Sequence, residues 1–377
     1  MSALASVIQK FKPTANAKRL GPIGLECSLT ELHLVQMKVS TDNVITRHAM
    51  TSIPYPESRE LMFSSPKKMR ALIHQAMGSD RFQGKQVITT LPSSDTRILQ
   101  VAYRVHDGQS SDAALLGVLA ERVDGDLKDY VIDYLPVRSE KRSEEGLAIV
   151  AIAQSKAVID YLEILRKSGL TIKQLEIGPS AIRRLVSAIG DQGKHENVLA
   201  INFGRDQSYL TVVSGKRLLL DQSVNLGETR LLESIATALD MTVSSARELV
   251  NNTSFTMEDS QSNNDGSRDI DIAGALQEII KPVFLELADE INRVLVYTAS
   301  QTHGESFSRI FLLGSLARWE GIDQLLNSLV KLSVETIPDP LKHFGPSTSS
   351  TGNCQAKPEI AVATGLALNG MLKNDGY

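Results

Sequence analysis

The sequence predicts a two-lobed α/β protein with a small α+β unit inserted into its first lobe. Three observations carry this expectation. A pattern of three short strands occurs twice, each triplet is later followed by an amphipathic helix, and strands and helices alternate in the stretch between the two copies.

The first copy reads Ile23–Ser28, Leu32–Met37, a Ser40-Thr41-Asp42-Asn43 turn, then Val44–Arg47. The second reads Val198–Gly204, Tyr209–Val213, a Ser214-Gly215 turn, then Arg217–Ser223. The apolar runs are short, rich in β-branched residues and bounded by turn formers, which is strand chemistry. Ser65-Pro66 opens the first helix, since proline suits a first helical turn, with Met69, Leu72, Ile73 and Met77 on one face. After the second triplet, Gly227 precedes a helix over 228–239 that aligns Leu231, Leu232, Ile235 and Leu239.

Residues 86–178 form the expected insert. Strands are predicted over 86–91, 97–105, 130–137 and 147–154, and helices over 113–123 and 156–168. The polar run 251–268 reads as a loop. A long helix then aligns Phe284, Leu287, Ile291, Val294, Leu295 and Thr298. Arg309–Leu313 is a buried-type strand ending at Gly314, 345–357 a loop, and 359–372 a final helix. The expected division is a tail over 1–19; a first lobe from 20–85, 179–195 and 358–377; the insert at 86–178; and a second lobe at 196–357. The second lobe holds a helical part near 228–282.

Composition bounds the function. A length of 377 residues with 42% hydrophobic residues supports more than one core. A net charge of −4 gives no basic footprint for nucleic acid. Cys27 and Cys354 are far apart, which argues against a disulfide framework or zinc and fits a reducing compartment. No apolar run is long enough to span a bilayer, and no secretory signal opens the chain, so a cytoplasmic location is expected. Leu4, Val7, Ile8 and Phe11 recur at helical spacing beside Lys10, Lys12, Lys18 and Arg19. That pattern suits either an acidic membrane surface or a frayed terminus.

A cleft between lobes is the natural ligand site. Phosphate binding there needs small residues in tight turns and a carboxylate near each turn for Mg²⁺ or water. Glu26-Cys27-Ser28-Leu29-Thr30 offers a carboxylate without a glycine, and Asn202-Phe203-Gly204 a glycine without a carboxylate. Gly314-Ser315-Leu316-Ala317 follows a strand and would admit adenine or ribose. The candidate nucleotide-binding set is Glu26, Ser28, Thr30, Asn202, Gly204, Arg205, Gly227, Gly314, Ser315 and Ala317, with no catalytic or metal-ligand residue singled out. GxxxxGK[ST], GxSxG and HExxH are absent, the seven histidines have no ligand spacing, and Trp319 reads as a packing residue.

Several stretches resemble the PilM-type pilus assembly family, whose members are similar to the cell-division actin homologue FtsA. Ala151–Lys156, Tyr161–Leu165, Ser168–Thr171 and Leu175–Ala181 follow the family's order of strand, helix, "aGL" and strand-into-helix. Leu312–Ala317 with Gly321-Ile322 is similar to its adenosine motif, and 359–368 to its closing helix. MshI-type proteins of MSHA pilus biogenesis are close relatives. The resemblance implies a two-lobed actin-like (ribonuclease H-like) fold with an SHS2-like insert, and ATP with Mg²⁺ as cofactors. It also implies a cytoplasmic scaffold peripheral to the inner membrane. Its partners would be the cytoplasmic tail of a PilN-type membrane protein, the pilus motor ATPases and further copies of itself. The departures fall on the cleft. The family's "DIGSSSVK" is matched by Glu26 to His33, with Glu26 for Asp, Ser28 for Gly and His33 for Lys. Its second "DIG" is Asn202-Phe203-Gly204, and Glu228 replaces a glycine. At most a weak ATPase is expected. The alternatives are an active ATPase or kinase of the same superfamily, and a filament-forming cell-division protein.

Overall fold

The computed structural model describes residues 19–40, 42–138, 145–190, 196–255, 272–301, 304, 306–345, 356–369 and 371. The expected N-terminal helix, residues 256–268 of the polar run and most of the loop over 345–357 lie outside the described residues.

The chain opens with a meander of β1 (Arg19–Cys27), β2 (Glu31–Val39) and β3 (Ile45–Pro54). Two helices follow, α1 (Arg59–Phe63) and α2 (Pro66–Gly78). The α2 start obeys its local sequence: the Ser65 hydroxyl accepts the Lys68 amide and Pro66 occupies the first turn. The apolar stripe Met69, Leu72 and Ile73 is buried, and Met77 packs beside it. β4 (Gln86–Thr90) then lies parallel to β1.

Next come β5 (Arg97–Arg104), α3 (Ser111–Ala120), β6 (Tyr130–Arg138) and β7 (Glu145–Gln154), which make a separate three-stranded sheet in the order β5-β7-β6. α4 (Ser155–Lys167) leads to β8 (Thr171–Glu176), parallel to β4, completing a first sheet β3-β2-β1-β4-β8. Two boundaries of the expected insert are thereby corrected. Residues 86–90 and 171–176 belong to the first sheet, and the buried face of α4 (Val158, Tyr161, Ile164, Leu165) joins the first-lobe core with Leu25, Leu72 and Ile73. The insert proper is β5–α3–β6–β7, spliced between β4 and the helix that parallel strands need to cross over. Strand composition alone does not say which sheet a strand enters.

After α5 (Gly178–Ile189), the second copy begins with β9 (Asn197–Phe203), β10 (Ser208–Ser214) and β11 (Arg217–Val224). α6 (Glu228–Ala238), α7 (Val243–Asn251) and the long α8 (Ile272–Gln301) intervene. β12 (Phe307–Gly314), α9 (Ile322–Val330) and β13 (Val334–Thr336) complete a sheet β11-β10-β9-β12-β13. The path matches that of the first sheet, a meander followed by two parallel strands. Leu239 lies past the end of α6 and is exposed, against the sequence expectation. The last helix is shorter than expected: a 3₁₀ turn over Pro358–Ile360 precedes α10 (Ala361–Ala367).

α5 and α10 form the layer between the lobes. They share one core with Val35 and Met37 of the first sheet and Val198, Ala200, Phe311 and Leu313 of the second. They cross closely: a Cβ at Gly365 would stand 2.0 Å from the Ala181 carbonyl oxygen, so only glycine fits. The insert also touches the second lobe. Val137 and Ile149 join its core, Gln100 Nε2 donates to the Leu219 carbonyl at 3.1 Å, and Arg217 donates to the Val137 carbonyl.

Candidate functional site

The candidate residues lie at the ends of β1, β9 and β12, in the turns that follow them (a 3₁₀ turn over Ser315–Arg318 after β12), and at Gly227 just before α6. In the first lobe, the β1–β2 turn is closed on itself. Ser28 Oγ donates to the Glu31 carbonyl at 2.9 Å and accepts the Glu31 amide at 3.1 Å and the Thr30 amide at 3.4 Å. Backbone amides that would face a phosphate are spent inside the turn, and Leu29 at its tip is exposed. Glu26 turns toward α10. Its Oε2 is buried without a partner, and burial pushes the carboxyl up to about 8, opposed by a backbone hydrogen bond from Ala363 and reinforced by the charge of Glu359. Burial thus favours the uncharged form of Glu26 at neutral pH. His33 is buried against Ser52 Oγ at 2.8 Å, and burial lowers it to about 4, so it is neutral as well.

The second-lobe residues come together tightly. β12 pairs with β9 so that Gly314 lies opposite Phe203, and Ser315 Oγ donates to the Phe203 carbonyl at 3.2 Å. Gly204 accepts the Glu228 amide at 3.1 Å and Arg205 the Thr229 amide at 2.8 Å, so the first amides of α6 are capped by the chain itself. Asp206 adds an Oδ1 acceptor for the Thr229 hydroxyl at 2.9 Å. Gly314 has φ 76°, and a Cβ there would lie 2.2 Å from the Phe203 carbonyl and 2.9 Å from Asn202 Oδ1. The same space at Gly204 and Gly227 is taken by the carbonyls of Gln207 and Arg205, each at 2.3 Å. These glycines admit the protein's own backbone. Ala317 and Ser315 are buried.

The sequence reading missed the charges that link these parts. Arg318, next to Ala317, meets Glu359 at 2.7 Å and Glu228 at 3.2 Å, and Glu228 also meets Arg247 at 2.8 Å. Glu228 is almost wholly buried, so its two arginines offset a large desolvation cost. Lys357 meets Glu31 at 3.1 Å. The Arg318–Glu359 pair joins the second lobe to the segment entering α10, and Glu359 is the charge felt by Glu26. Of the candidates, the second-lobe set is thus one cluster, and Glu26 is reached through Glu359. Among the described residues, the hydrogen bonds of Ser28 and Thr30 stay within the first lobe, to Glu31 and Tyr55. The signal that could have found the network was Glu228 itself, a carboxylate where a glycine was expected, which must have a cationic partner if buried. Among the described residues no group of three or more His, Cys, Asp or Glu is placed to hold a metal. Trp319 is buried and stacked on Phe255, ring centroids 5.7 Å apart, as a packing residue should be.

No curated protein matches the chain. Among solved structures, it is similar to a PilM-PilN type IV pilus biogenesis complex at TM-score 0.72 and 22% identity, covering 95% of this chain and all of that one. It is also similar to the ethanolamine utilization protein EutJ of Carboxydothermus hydrogenoformans, at TM-score 0.52 and 11% identity, covering 95% and 92%. MreB5 of Spiroplasma citri bound to ADP superposes at TM-score 0.48 and 9% identity, covering 93% and 96%. The first two likenesses, with the duplicated sheets, show an actin-like fold. No helix among the described residues is long and apolar enough to cross a membrane. Residues 24–371 match the family described as Type IV pilus assembly protein PilM, and the chain belongs to that family.

Proposed function

We propose that the protein is a cytoplasmic scaffold of type IV pilus biogenesis, peripheral to the inner membrane. It would hold the cytoplasmic tail of a PilN-type membrane protein and couple it to the motor ATPases as a homo-oligomer. The solved PilM-PilN complex supports the choice of partner. The groove between the first lobe and the insert is the proposed seat of the tail. β6 is an edge of the three-stranded sheet, and Val131 on it and Ile159 on α4 are exposed apolar residues. An extended peptide adds to such an edge through main-chain hydrogen bonds.

The observation that carries the scaffold reading is the state of the cleft. Magnesium triphosphate needs open amides and ionised carboxylates at the turns. Here the first-turn amides serve Ser28, Glu26 is held protonated, and Arg318 is engaged by Glu228 and Glu359. This supports a degenerate nucleotide cleft, because the residues present do not fit the group. The rival reading is an active ATPase or kinase. Calorimetric titration of the protein with ATP and Mg²⁺, and separately with a synthetic PilN tail peptide, separates the two. Heat with the peptide and none with nucleotide is expected. Tight nucleotide binding without peptide binding would overturn the scaffold.

A further inference from the structure

We propose that a groove on the second lobe, between the open half of the β11 edge and α8, takes an extended basic segment of a partner protein. This surface is separate from the peptide groove of the first lobe and insert and does not depend on it.

Among the described residues β11 is an outer strand of the second sheet, paired with β10 alone. An outer strand leaves alternate main-chain groups without a ladder partner. The insert covers only the first half of that edge. Arg217 donates to the Val137 carbonyl, and the Leu219 carbonyl accepts Gln100 Nε2, while Gln100 Oε1 accepts the Tyr297 hydroxyl of α8. Beyond Leu219, α8 continues beside the strand. Gln222 Nε2 donates to Glu290 Oε2 at 3.3 Å, and Arg230, past the end of β11, holds Glu286 through both terminal nitrogens at 2.7 Å. Here a cavity of about 480 Å³ opens, lined by Ser223 to Leu226 on one side and by Asp289, Glu290 and Arg293 on the other. Every residue that lines it belongs to the second lobe.

Charge and length select the occupant. The carboxylates Glu286, Asp289 and Glu290 share the groove with two arginines. Glu286 is matched by Arg230 at 2.7 Å and Glu290 by Arg293 at 2.9 Å. The Asp289 carboxylate has no hydrogen bond or ion pair among the described residues, which leaves it for an incoming Lys or Arg. A surplus of negative charge repels nucleic acid and anionic lipid and favours a cationic protein segment. Two exposed apolar side chains flank Asp289 along α8: Leu285 one turn before it, and Val296, 74% exposed, two turns after it. Spacings of four and seven residues put the three on one face of the helix. From Leu285 to Val296 the helix rises about 16 Å, the length of about five extended residues. Side chains of an extended segment alternate, so its first, third and fifth residues share a face. A segment with apolar ends and a basic centre therefore meets Leu285, Asp289 and Val296 while its main chain runs beside β11.

The test is fluorescence anisotropy of a labelled, end-blocked pentapeptide, valine-threonine-arginine-threonine-valine, titrated with the full-length chain. Saturable binding is expected. Asp289→Lys should weaken it roughly tenfold, through a lost attraction and an added repulsion. The same variant should bind a peptide with glutamate at its centre more tightly than the parent does. Peptides N-methylated at alternate residues, in each of the two registers, isolate the main-chain pairing, and one register should fail to bind. Glu121→Lys, on the exposed end of the insert's helix, should leave binding unchanged, with circular dichroism confirming that each variant is folded. Absence of saturable binding, equal affinity for a peptide with glutamine at its centre, or retained binding by both methylated peptides would overturn the proposal. So would self-association of the chain that Asp289→Lys abolishes, since a second copy would then fill the groove.

Discussion

The two lobes follow one path and treat their cleft turns differently. After β1, the turn is sealed by a single hydroxyl, Ser28, and its carboxylate Glu26 is buried and held protonated. After β9, the turn keeps Gly204, with Gly227 and Gly314 beside it, but has Asn202 in place of a carboxylate and Glu228 in place of a glycine. There the glycine spaces are filled by the chain's own carbonyls, and Glu228 is claimed by Arg247 and Arg318. The first turn ties its amides to Ser28 and buries its carboxylate, whereas the second packs its glycines against the chain's own carbonyls. A topology can thus be preserved while its site changes, because sheet pairing is set by buried strands and not by the turn chemistry above them.

The comparison can be broken by substitutions in either lobe. The largest effect is expected at Gly314, where alanine would force a side chain into the left-handed region and against the Phe203 carbonyl. Gly314→Ala should cost about 4 kcal/mol or more, read from the urea midpoint, and a cost under about 1 kcal/mol would show that the second-lobe turn is loosely held. Next comes Glu228→Ala, which leaves Arg247 and Arg318 without their shared carboxylate. Because both arginines are partly exposed and can rehydrate, a loss of about 3 kcal/mol is expected, at the low end for a broken buried pair.

The first lobe is probed by pH. Glu26 binds its proton more tightly folded than unfolded, so its contribution is fully present below about 4.5 and is lost as pH rises through about 8. Glu26 should lower stability by about 2 kcal/mol between pH 6 and pH 8, and Glu26→Gln should remove that part of the slope, leaving the smaller part from Asp221, which burial pushes up to about 7. His33 acts in the opposite sense at lower pH: burial lowers it to about 4, so its contribution is lost as pH falls from about 6.5 toward 4. A Glu26→Gln variant that keeps the parent's slope above pH 6 would place the titration elsewhere.

Much of the fold was legible because it rests on local patterns. The duplicated triplets, the proline-led start of α2, the long α8 and the strand ending at Gly314 each follow from spacing and turn residues. The insert's edges were not legible. β4 and β8 look like any buried strand, and only pairing with β1 assigns them to the first sheet. The candidate cluster around Gly204, Gly227 and Gly314 was legible as glycines following strands. Arg318, Arg247 and Glu359 were not, since their meeting joins points far apart in the chain through the packing of α6, α7 and α10. Replacement of a glycine by Glu228 was the one visible sign that the site had acquired internal charge.

The insert rests on the second lobe as well as on the first, through Val137, Ile149, Gln100 and Arg217. An actin-like body with only its central helices between the lobes is a hinge with one axis. A third support away from that axis turns the hinge into a truss, in which swinging one lobe must stretch or shear the strut. A load placed on the insert is then divided between both lobes at once and moves the body as a whole instead of opening it.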